Sequence, residues 1–495
     1  MDMHTMLSYD WRLMLPEFII LAAAVILSLL DLFLPGRLSR RPLAWIGIAG
    51  ILLSLLSLIG LMDEKEAGIL YDTFRLDSFS KAFKLLLLSG GAMVMLLAES
   101  YHPKEGMKEY RGEFYYLFLT GLLGAMMMAS SGDLITLFTG LELLSVSSYI
   151  LAGMRKKHLP SNEAAMKYII SGSIATAITL FGMSYLYGLT GTTNLIKMGS
   201  HMANLANSQF LYLIGLAFFM IVGGLSFKLA SAPFHMWAPD VYEGSAAPVT
   251  AFLSTISKTA GFVILIRLIW TLFFHAPGDE LGAQTFLEKN NVYLSLLAAL
   301  SIIIGNVTAL RQRNIKRLFG YSSIAHAGYL LVSIVSIGAQ PFFYDATWFY
   351  LLAYLLMNMG AFAVIQIITV HTGSEDISSL AGLYKRSPWL ACTMAVFILS
   401  LAGIPGTAGF IGKVYIFMGA FSDQPAHYVL ASILIGGTIV SYIYYFGIMT
   451  QMFFRPVHKN PVPKVPAGII VVLVLCVTGT ILFGVAPNLA INLLK

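Results

Sequence analysis

Four charged residues stand inside long apolar runs: Glu142, Lys228, Lys258 and Lys413. An ionisable group at mid-membrane depth costs several kcal/mol, so each needs a chemical reason to be there. Glu142 follows Thr139-Gly140-Leu141, about 15 Å into its run at 1.5 Å per residue. A carboxylate at that depth either pairs with a cation or takes up a proton. Lys228 stands just before Pro233 and His235. Burial favours a lysine's neutral amine and a nearby carboxylate favours its ammonium, so a lysine whose carboxylate can approach or withdraw is a proton switch. Glu142 matches Lys228 in depth and is its expected partner.

Lys258 lies near the middle of its run among Ser254, Thr255, Ser257 and Thr259, hydroxyls that can hold the ordered water a proton hop requires. Snorkelling to an interface is the ordinary explanation of a membrane lysine. It is weakest for Lys258, which stands about a dozen residues from either end of a span-length run. Lys413 follows Gly403-Ile404-Pro405-Gly406 and mirrors Lys228 in the second half. Gly412-Lys413 does not make a phosphate-binding loop, because Thr407 replaces the required glycine and Val414 the hydroxyl residue. His326 and His235 could relay protons between the lysines, against the ordinary reading of a hydrogen-bonded core histidine. Glu17 and Asp31 fall near the two ends of the first run, where solvation at the interface is expected. The Met126–Met128 run reads as packing. The sequence holds no dinucleotide fingerprint, Ser/His/Asp arrangement or paired metal-ligand motif. Cys392 and Cys476 lie in apolar runs without CxxC spacing, which argues against an iron–sulfur cluster, a structural zinc or a disulfide framework.

The elements that must position these groups follow from composition. The chain has 495 residues, 57% hydrophobic and 11% charged, with a mean hydropathy of +0.77. A soluble domain of that size would need far more charge, so the bilayer is its solvent and the fold is all-α. The runs divide into about 14 spans of the length a hydrocarbon core demands: 13–33, 43–62, 80–99, 113–131, 133–153, 164–188, 209–236, 246–273, 292–310, 320–338, 346–370, 388–421, 427–453 and 467–489. The first run lacks a small-residue cleavage pattern, so a removable signal peptide is not expected.

Cations gather in alternate joints: Arg37, Arg40 and Arg41; Lys104, Lys108 and Arg111; Arg155, Lys156 and Lys157; Arg311, Arg313, Lys316 and Arg317; Lys385 and Arg386; Arg455, Lys459 and Lys464. The intervening joints are poor in cations, as at Asp63-Glu64 and Asp279-Glu280. The positive-inside rule then puts both termini outside, and the net charge of +6 reads as topology rather than as a nucleic-acid surface. One joint breaks the pattern: after span 7, Asp240 and Glu243 outnumber the cations.

Spans 7 and 12 are too long for one straight crossing and contain proline, which breaks helices. Freed backbone groups are tolerated in lipid only where protein or a wet cavity satisfies them. Span 7 is the fourth of the set 4–8 and span 12 the fourth of the set 9–13, and the sets start on opposite sides. Broken helices at matching places in two inverted halves point to a transport site. The expected organisation is a three-helix segment over 1–112, five-helix repeats over 113–273 and 292–453, and a last helix over 454–495.

The chain resembles the antiporter-like membrane subunits of respiratory complex I. The resemblance covers nearly its whole length and rests on Gly140-Leu141-Glu142-Leu143, on Lys228 with the stretch Ala232-Pro233-Phe234-His235-Met236-Trp237-Ala238-Pro239-Asp240-Val241-Tyr242-Glu243-Gly244, on Ser257-Lys258, and on Gly403 to Lys413. Lysine at 413 fits the N-type branch, since the M-type characteristically has glutamate there, and L-type subunits extend well beyond 14 helices. The resemblance implies one proton path per subunit: Glu142 tuning Lys228, Lys258 joining the halves, His326 on the connecting axis and Lys413 at the outlet. It also implies that NADH, FMN, iron–sulfur clusters and quinone act in other subunits, and that the partners are antiporter-like M-type and small K-, J- and A-type membrane subunits and lipid, in a bacterial inner membrane. A subunit of a multisubunit sodium/proton antiporter stays as the alternative, although it would be expected to carry an extra carboxylate at a break. A scaffold with a decayed channel would have lost one of the charged positions, and all are present.

Overall fold

The computed structural model describes residues 9–35, 38–102, 110–205, 208–274, 276–279, 284–338, 342–423, 426–456 and 464–494. Of the joint cations, Arg37, Lys104, Lys108 and Lys459 lie outside the described residues, as does Glu280. The apolar runs fold as helices because lipid offers no partner for a free backbone N–H or C=O, and a helix satisfies both within the segment. Among the described residues, twelve helices are long and apolar enough to cross a membrane, and three shorter apolar ones accompany them: Leu43–Ile59, Pro388–Ala402 and Ala408–Ser422. The last two are halves of one crossing, so the long helices, Leu43–Ile59 and this pair make the expected fourteen.

In chain order, α1 (Leu15–Phe33) and α2 (Leu43–Ile59) are followed by a hairpin of β1 (Ala67–Ile69) and β2 (Phe74–Leu76). Its register pairs Ala67 with Leu76 and Ile69 with Phe74. Then come α3 (Ser78–Glu99), α4 (Arg111–Ser130), α5 (Leu134–Ala152), α6 (Leu159–Thr190), the short α7 (Leu195–Ala203), α8 (Ser208–Leu229) and the short α9 (Trp237–Gly244). After these come α10 (Ala247–Phe273), α11 (Phe286–Ala309), α12 (Ile315–Val335), α13 (Phe342–Thr372), α14 (Leu383–Arg386), α15 (Pro388–Ala402), α16 (Ala408–Ser422), α17 (Tyr428–Phe454) and α18 (Ala467–Val485). The hairpin, α7 and α9 were not expected from the apolar runs. They are too short and too polar to show as spans.

α10, α12 and α13 form the middle of the bundle and are almost wholly buried, whereas α1, α6, α17 and α18 turn many apolar side chains outward. The central α10 is not a regular helix: Leu253–Ser257 and Ile269–Phe273 are π-helical turns.

The two expected breaks close in the same way. α8 ends with Ala230 in the left-handed region (φ +55) and Ser231 N–H bonded to Ser226 O at 2.9 Å. α15 ends with Gly403 at φ +85 and Ile404 N–H bonded to Leu399 O at 3.0 Å. Both are six-to-one caps that satisfy orphan carbonyls at a helix end. The breaks differ in reach. α15 and α16 have 15 residues each, whereas α8 has 22 and is followed by an 8-residue α9.

Loop contacts fix which joints share a face. Arg41 pairs with Glu99 at 2.5 Å, joining the loops after the first and third crossings. Arg317 pairs with Asp240 at 2.5 Å and Glu243 at 3.0 Å, and Lys316 with Glu375 at 2.6 Å, joining those after the seventh, ninth and eleventh. The acidic joint that departs from the charge pattern is therefore neutralised by cations of its neighbours on the same face.

One sequence expectation is corrected on the opposite face. Glu17 is not solvated at an interface. It is 3% exposed and meets the wholly buried Lys84 of α3 at 2.5 Å, with the Lys84 ammonium 4.7 Å from the Phe74 ring of the hairpin. The hairpin lies over this end of the bundle and keeps water from the pair. Asp31, at the other end of α1, is half-buried and pairs with Arg40 at 3.1 Å.

Candidate functional site

Glu142 lies in the middle of α5, and one turn further on the same face comes Ser145. Lys228, in the last turn of α8, donates to Ser145 Oγ at 3.2 Å. Its charge and that of Glu142 act on each other, yet no ion pair within 4.0 Å joins them among the described residues. Glu142 Oε1 is buried without a hydrogen bond. Lys228 does not snorkel; it is buried. Its position at the C-terminal end of a broken helix puts an ammonium where the helix dipole is negative.

Gly261 of α10 explains how Lys228 comes close to the second lysine. A Cβ there would lie 2.9 Å from Leu229 Cδ2 and 3.4 Å from Lys228 Cγ. Lys258 is one turn away along the same helix face. It directly follows the first π turn, a feature that often marks functional positions because it re-aims the side chains beside it. Lys258 donates to Ser323 O of α12 at 2.5 Å, and its ammonium lies 5.8 Å from the Tyr354 ring. Beside Lys228 stands Tyr168, fully buried, whose ring stacks on Trp237 and whose hydroxyl is buried without a hydrogen bond.

His326 lies one turn beyond Ser322 and Ser323 on α12. Its Nδ1 meets Tyr350 Oη at 2.7 Å and its Nε2 meets Tyr445 Oη at 3.2 Å. Tyr445 Oη also meets Ser322 Oγ at 2.5 Å. The ring also lies 5.1 Å from that of Tyr354, which Lys258 faces, and 5.4 Å from that of Tyr329, which Lys413 faces. Lys413 folds back across the second break and donates to Leu401 O at 2.9 Å and Ala402 O at 3.0 Å. Those are orphan carbonyls of the α15 C-terminus, and the ammonium serves as their donor. Gly403 leaves room for this: a Cβ there would lie 2.9 Å from Lys413 Cδ. The ammonium also lies 5.0 Å from the Tyr329 ring.

The structure thus brings Glu142, Lys228, Lys258, His326 and Lys413 onto one buried polar axis running from α5 through α8, α10 and α12 to α16. It does not bring His235 there. That residue is buried in the first break with Nδ1 unbonded, between the exposed Phe234 and Met236, and none of its described contacts is to an axis lysine. Sequence reasoning missed the hydroxyls that fill the gaps: Ser145, Tyr168, Tyr242, Ser323, Tyr350 and Tyr445. The signal available was helical spacing, since Ser145 follows Glu142, and Ser322 and Ser323 precede His326, by three or four residues.

Fourteen crossings, two capped breaks and a lysine-bearing polar axis define the antiporter-like class of membrane protein. The chain belongs to the family described as NADH:quinone oxidoreductase/Mrp antiporter, transmembrane, whose pattern matches residues 131–439. Every candidate site residue falls inside that stretch, and the Glu17–Lys84 pair falls outside it. The chain is 58% identical over 495 residues to the NADH-quinone oxidoreductase subunit N of Geobacillus sp. strain WCH70, covering all of both chains. A chain of respiratory complex I from Thermus thermophilus superposes with a TM-score of 0.79 at 32% identity, over 96% of this chain and 98% of that one. A chain of the Mrp complex from Dietzia sp. DQ12-45-1b superposes at 0.81 with 18% identity, over 98% and 96%, a likeness of fold alone. The resemblance read from the motif segments, N-type branch included, is borne out.

Proposed function

We propose that this chain is the N-type proton-translocating membrane subunit of an NADH–quinone oxidoreductase. It contributes no redox chemistry of its own; NADH, FMN, iron–sulfur clusters and quinone act in other subunits. The observation that carries the reading is the buried axis: three lysines at or beside helix breaks and π turns, joined by hydroxyls and one histidine across both halves of the molecule. In the proposed roles Glu142 tunes Lys228, Lys258 passes the proton between halves, His326 relays it past Tyr350 and Tyr445, and Lys413 releases it at the second break. His235 has a place in the first break but no contact that supports a relay role.

The identical caps at Ala230 and Gly403 support reading 113–273 and 292–453 as inverted five-helix repeats, flanked by the 1–112 segment and the 454–495 helix. The shared face of the cationic joints supports a cytoplasmic side there and both termini outside, in a bacterial inner membrane. The partners are the antiporter-like M-type and the small K-, J- and A-type membrane subunits, and lipid.

The test is copurification of the tagged chain in mild detergent, followed by NADH-driven quinone reduction and proton uptake in vesicles, for the native chain and for Glu142→Ala. Co-isolation with flavin and iron–sulfur subunits is expected. The variant should assemble normally but pump about tenfold more slowly, roughly 1.4 kcal/mol of barrier. Isolation with small hydrophobic chains alone, with sodium-dependent proton exchange, would assign the chain to an antiporter. Wild-type pumping by Glu142→Ala would remove its tuning role.

A further inference from the structure

No described hydrogen bond joins Lys228 to Lys258, so whatever makes one respond to the other must pass through a third element. The short helix α9 touches the surroundings of both. At its first residue, Trp237 donates Nε1–H to Phe227 O at 2.9 Å, the carbonyl next to Lys228 in the last turn of α8. The same indole stacks on Tyr168, with ring centroids 4.3 Å apart and planes 7° from parallel. Five residues on, Tyr242 Oη accepts from Ser323 Oγ at 3.2 Å, and Ser323 O is the acceptor for Lys258.

The opposite side of α9 is held by charge. Asp240 takes Lys167 of α6 at 2.6 Å and Arg317 of α12 at 2.5 Å, Lys167 also holding Glu163 at 2.7 Å. Glu243 takes Arg317 at 3.0 Å and Asn314 at 3.2 Å. Lys316 donates to Glu243 O and Ser245 O at 2.6 and 2.8 Å. Backbone contact is equally close: a Cβ on Gly320 of α12 would lie 3.0 Å from Pro239 Cα. The remaining flank is only partly covered, although six of the eight α9 residues are buried. A groove of ≈ 950 Å³ runs between α6, α8, α9 and α11, bordered by Gly223, Gly224, Met236, Trp237, Asp240 and Tyr293. α9 is therefore tied to α12 by charge, bonded beside each lysine, and borders the groove through Trp237 and Asp240.

We propose that α9 is the strut that couples Lys228 to Lys258, with Trp237 and Tyr242 as its positioning residues. This deepens the translocation reading and rests on it. A change at the Lys228 end of the break moves Trp237, α9 turns about its ionic anchor toward the groove, and Tyr242 loosens or tightens Ser323. That alters how firmly Ser323 O holds the Lys258 ammonium. Neither ring has to carry a proton for this.

Trp237→Phe and Tyr242→Phe each remove one polar contact and keep an aromatic ring. In the assembled complex in vesicles, each is expected to slow NADH-driven proton pumping about three- to tenfold and to displace the midpoint of its pH profile. The double variant should be no slower than the worse single one, because both act through one element. Tyr242→Phe decides alone should the tryptophan variant not assemble. A wild-type rate with an unshifted pH profile in Tyr242→Phe overturns the strut, as does a double variant whose losses multiply. Lys258→Ala separates the two readings: if it pumps normally, the translocation reading itself fails, whereas a dead Lys258→Ala beside a normal Tyr242→Phe overturns only the strut.

Discussion

The pair Glu17–Lys84 illustrates what a buried charge does to the residues around it. Glu17 Oε2 has no hydrogen-bond partner, so the 2.5 Å approach of Lys84 to Oε1 is the main compensation for burying both groups. Taking away one member of such a pair costs about 3–5 kcal/mol, and replacing both by apolar residues costs little. Glu17→Gln is therefore expected to lower the melting temperature of the purified chain, and Glu17→Met with Lys84→Met to restore it. A melting curve for Glu17→Gln that overlays the native one would show the pair to be unimportant. The same physics decides what was legible in the sequence. Lys228, Lys258 and Lys413 stood out because charge deep in an apolar run is expensive. Lys84 did not, lying near the start of its run, where a cation is ordinarily solvated. Its partner and its cover come from α1 and from a hairpin with three-residue strands. Tyr350 and Tyr445 were equally hidden, because tyrosine is common in membrane helices for anchoring and packing and only the fold shows which ones meet His326.

At the scale of the helices, the breaks were legible from proline and glycine but their detail was not. Pro405 falls within the second break, and Pro233 stands beyond the end of α8. The residue that turns the first break is Ala230, which no propensity would choose for the left-handed region. The π turn ahead of Lys258 left no mark on the hydrophobic pattern either. Glycine positions in the second break separate strain from function. Gly403 (φ +85) faces Lys413 closely, while Gly406 (φ +88) has open space where its Cβ would be. Alanine in the left-handed region costs about 1–3 kcal/mol at either position. Gly403→Ala should lose both stability and proton pumping, because the new methyl displaces the Lys413 stem from the α15 carbonyls. Gly406→Ala should lose stability alone. Equal loss of pumping in the two would remove the special role of the Gly403 approach. Measuring melting and pumping on the same preparations distinguishes these outcomes.

For the whole molecule, the ionic cluster around α9 is what ties the two halves on the cationic face. Burial alone would raise the Asp240 carboxyl, but the hydrogen bonds and charges of Lys167 and Arg317 outweigh it and hold the group below its ordinary value. A carboxyl lowered in the folded state contributes its stability in full above the unfolded value of about 3.9, and loses it as pH falls through the lower folded value. The difference in melting temperature between the native chain and Asp240→Asn should thus stay constant from about pH 8 to about pH 5 and shrink below about pH 4. A difference that widens on acidification would contradict the assignment. The number of crossings and their parity were legible from run length and loop charge. The pairing of Asp240 and Glu243 with Arg317 was not, because Arg317 comes from a joint two crossings later. That order has a consequence in time. A chain is made from its N-terminus onward, so Asp240 and Glu243 reach the membrane surface with Lys167 already made but before Arg317 exists. Until α12 has been synthesised and inserted, α9 is held by Lys167 and by the contacts of Trp237 with Phe227 and Tyr168, without its Arg317 anchor. The anchoring of α9 is therefore completed only when the second half of the chain arrives.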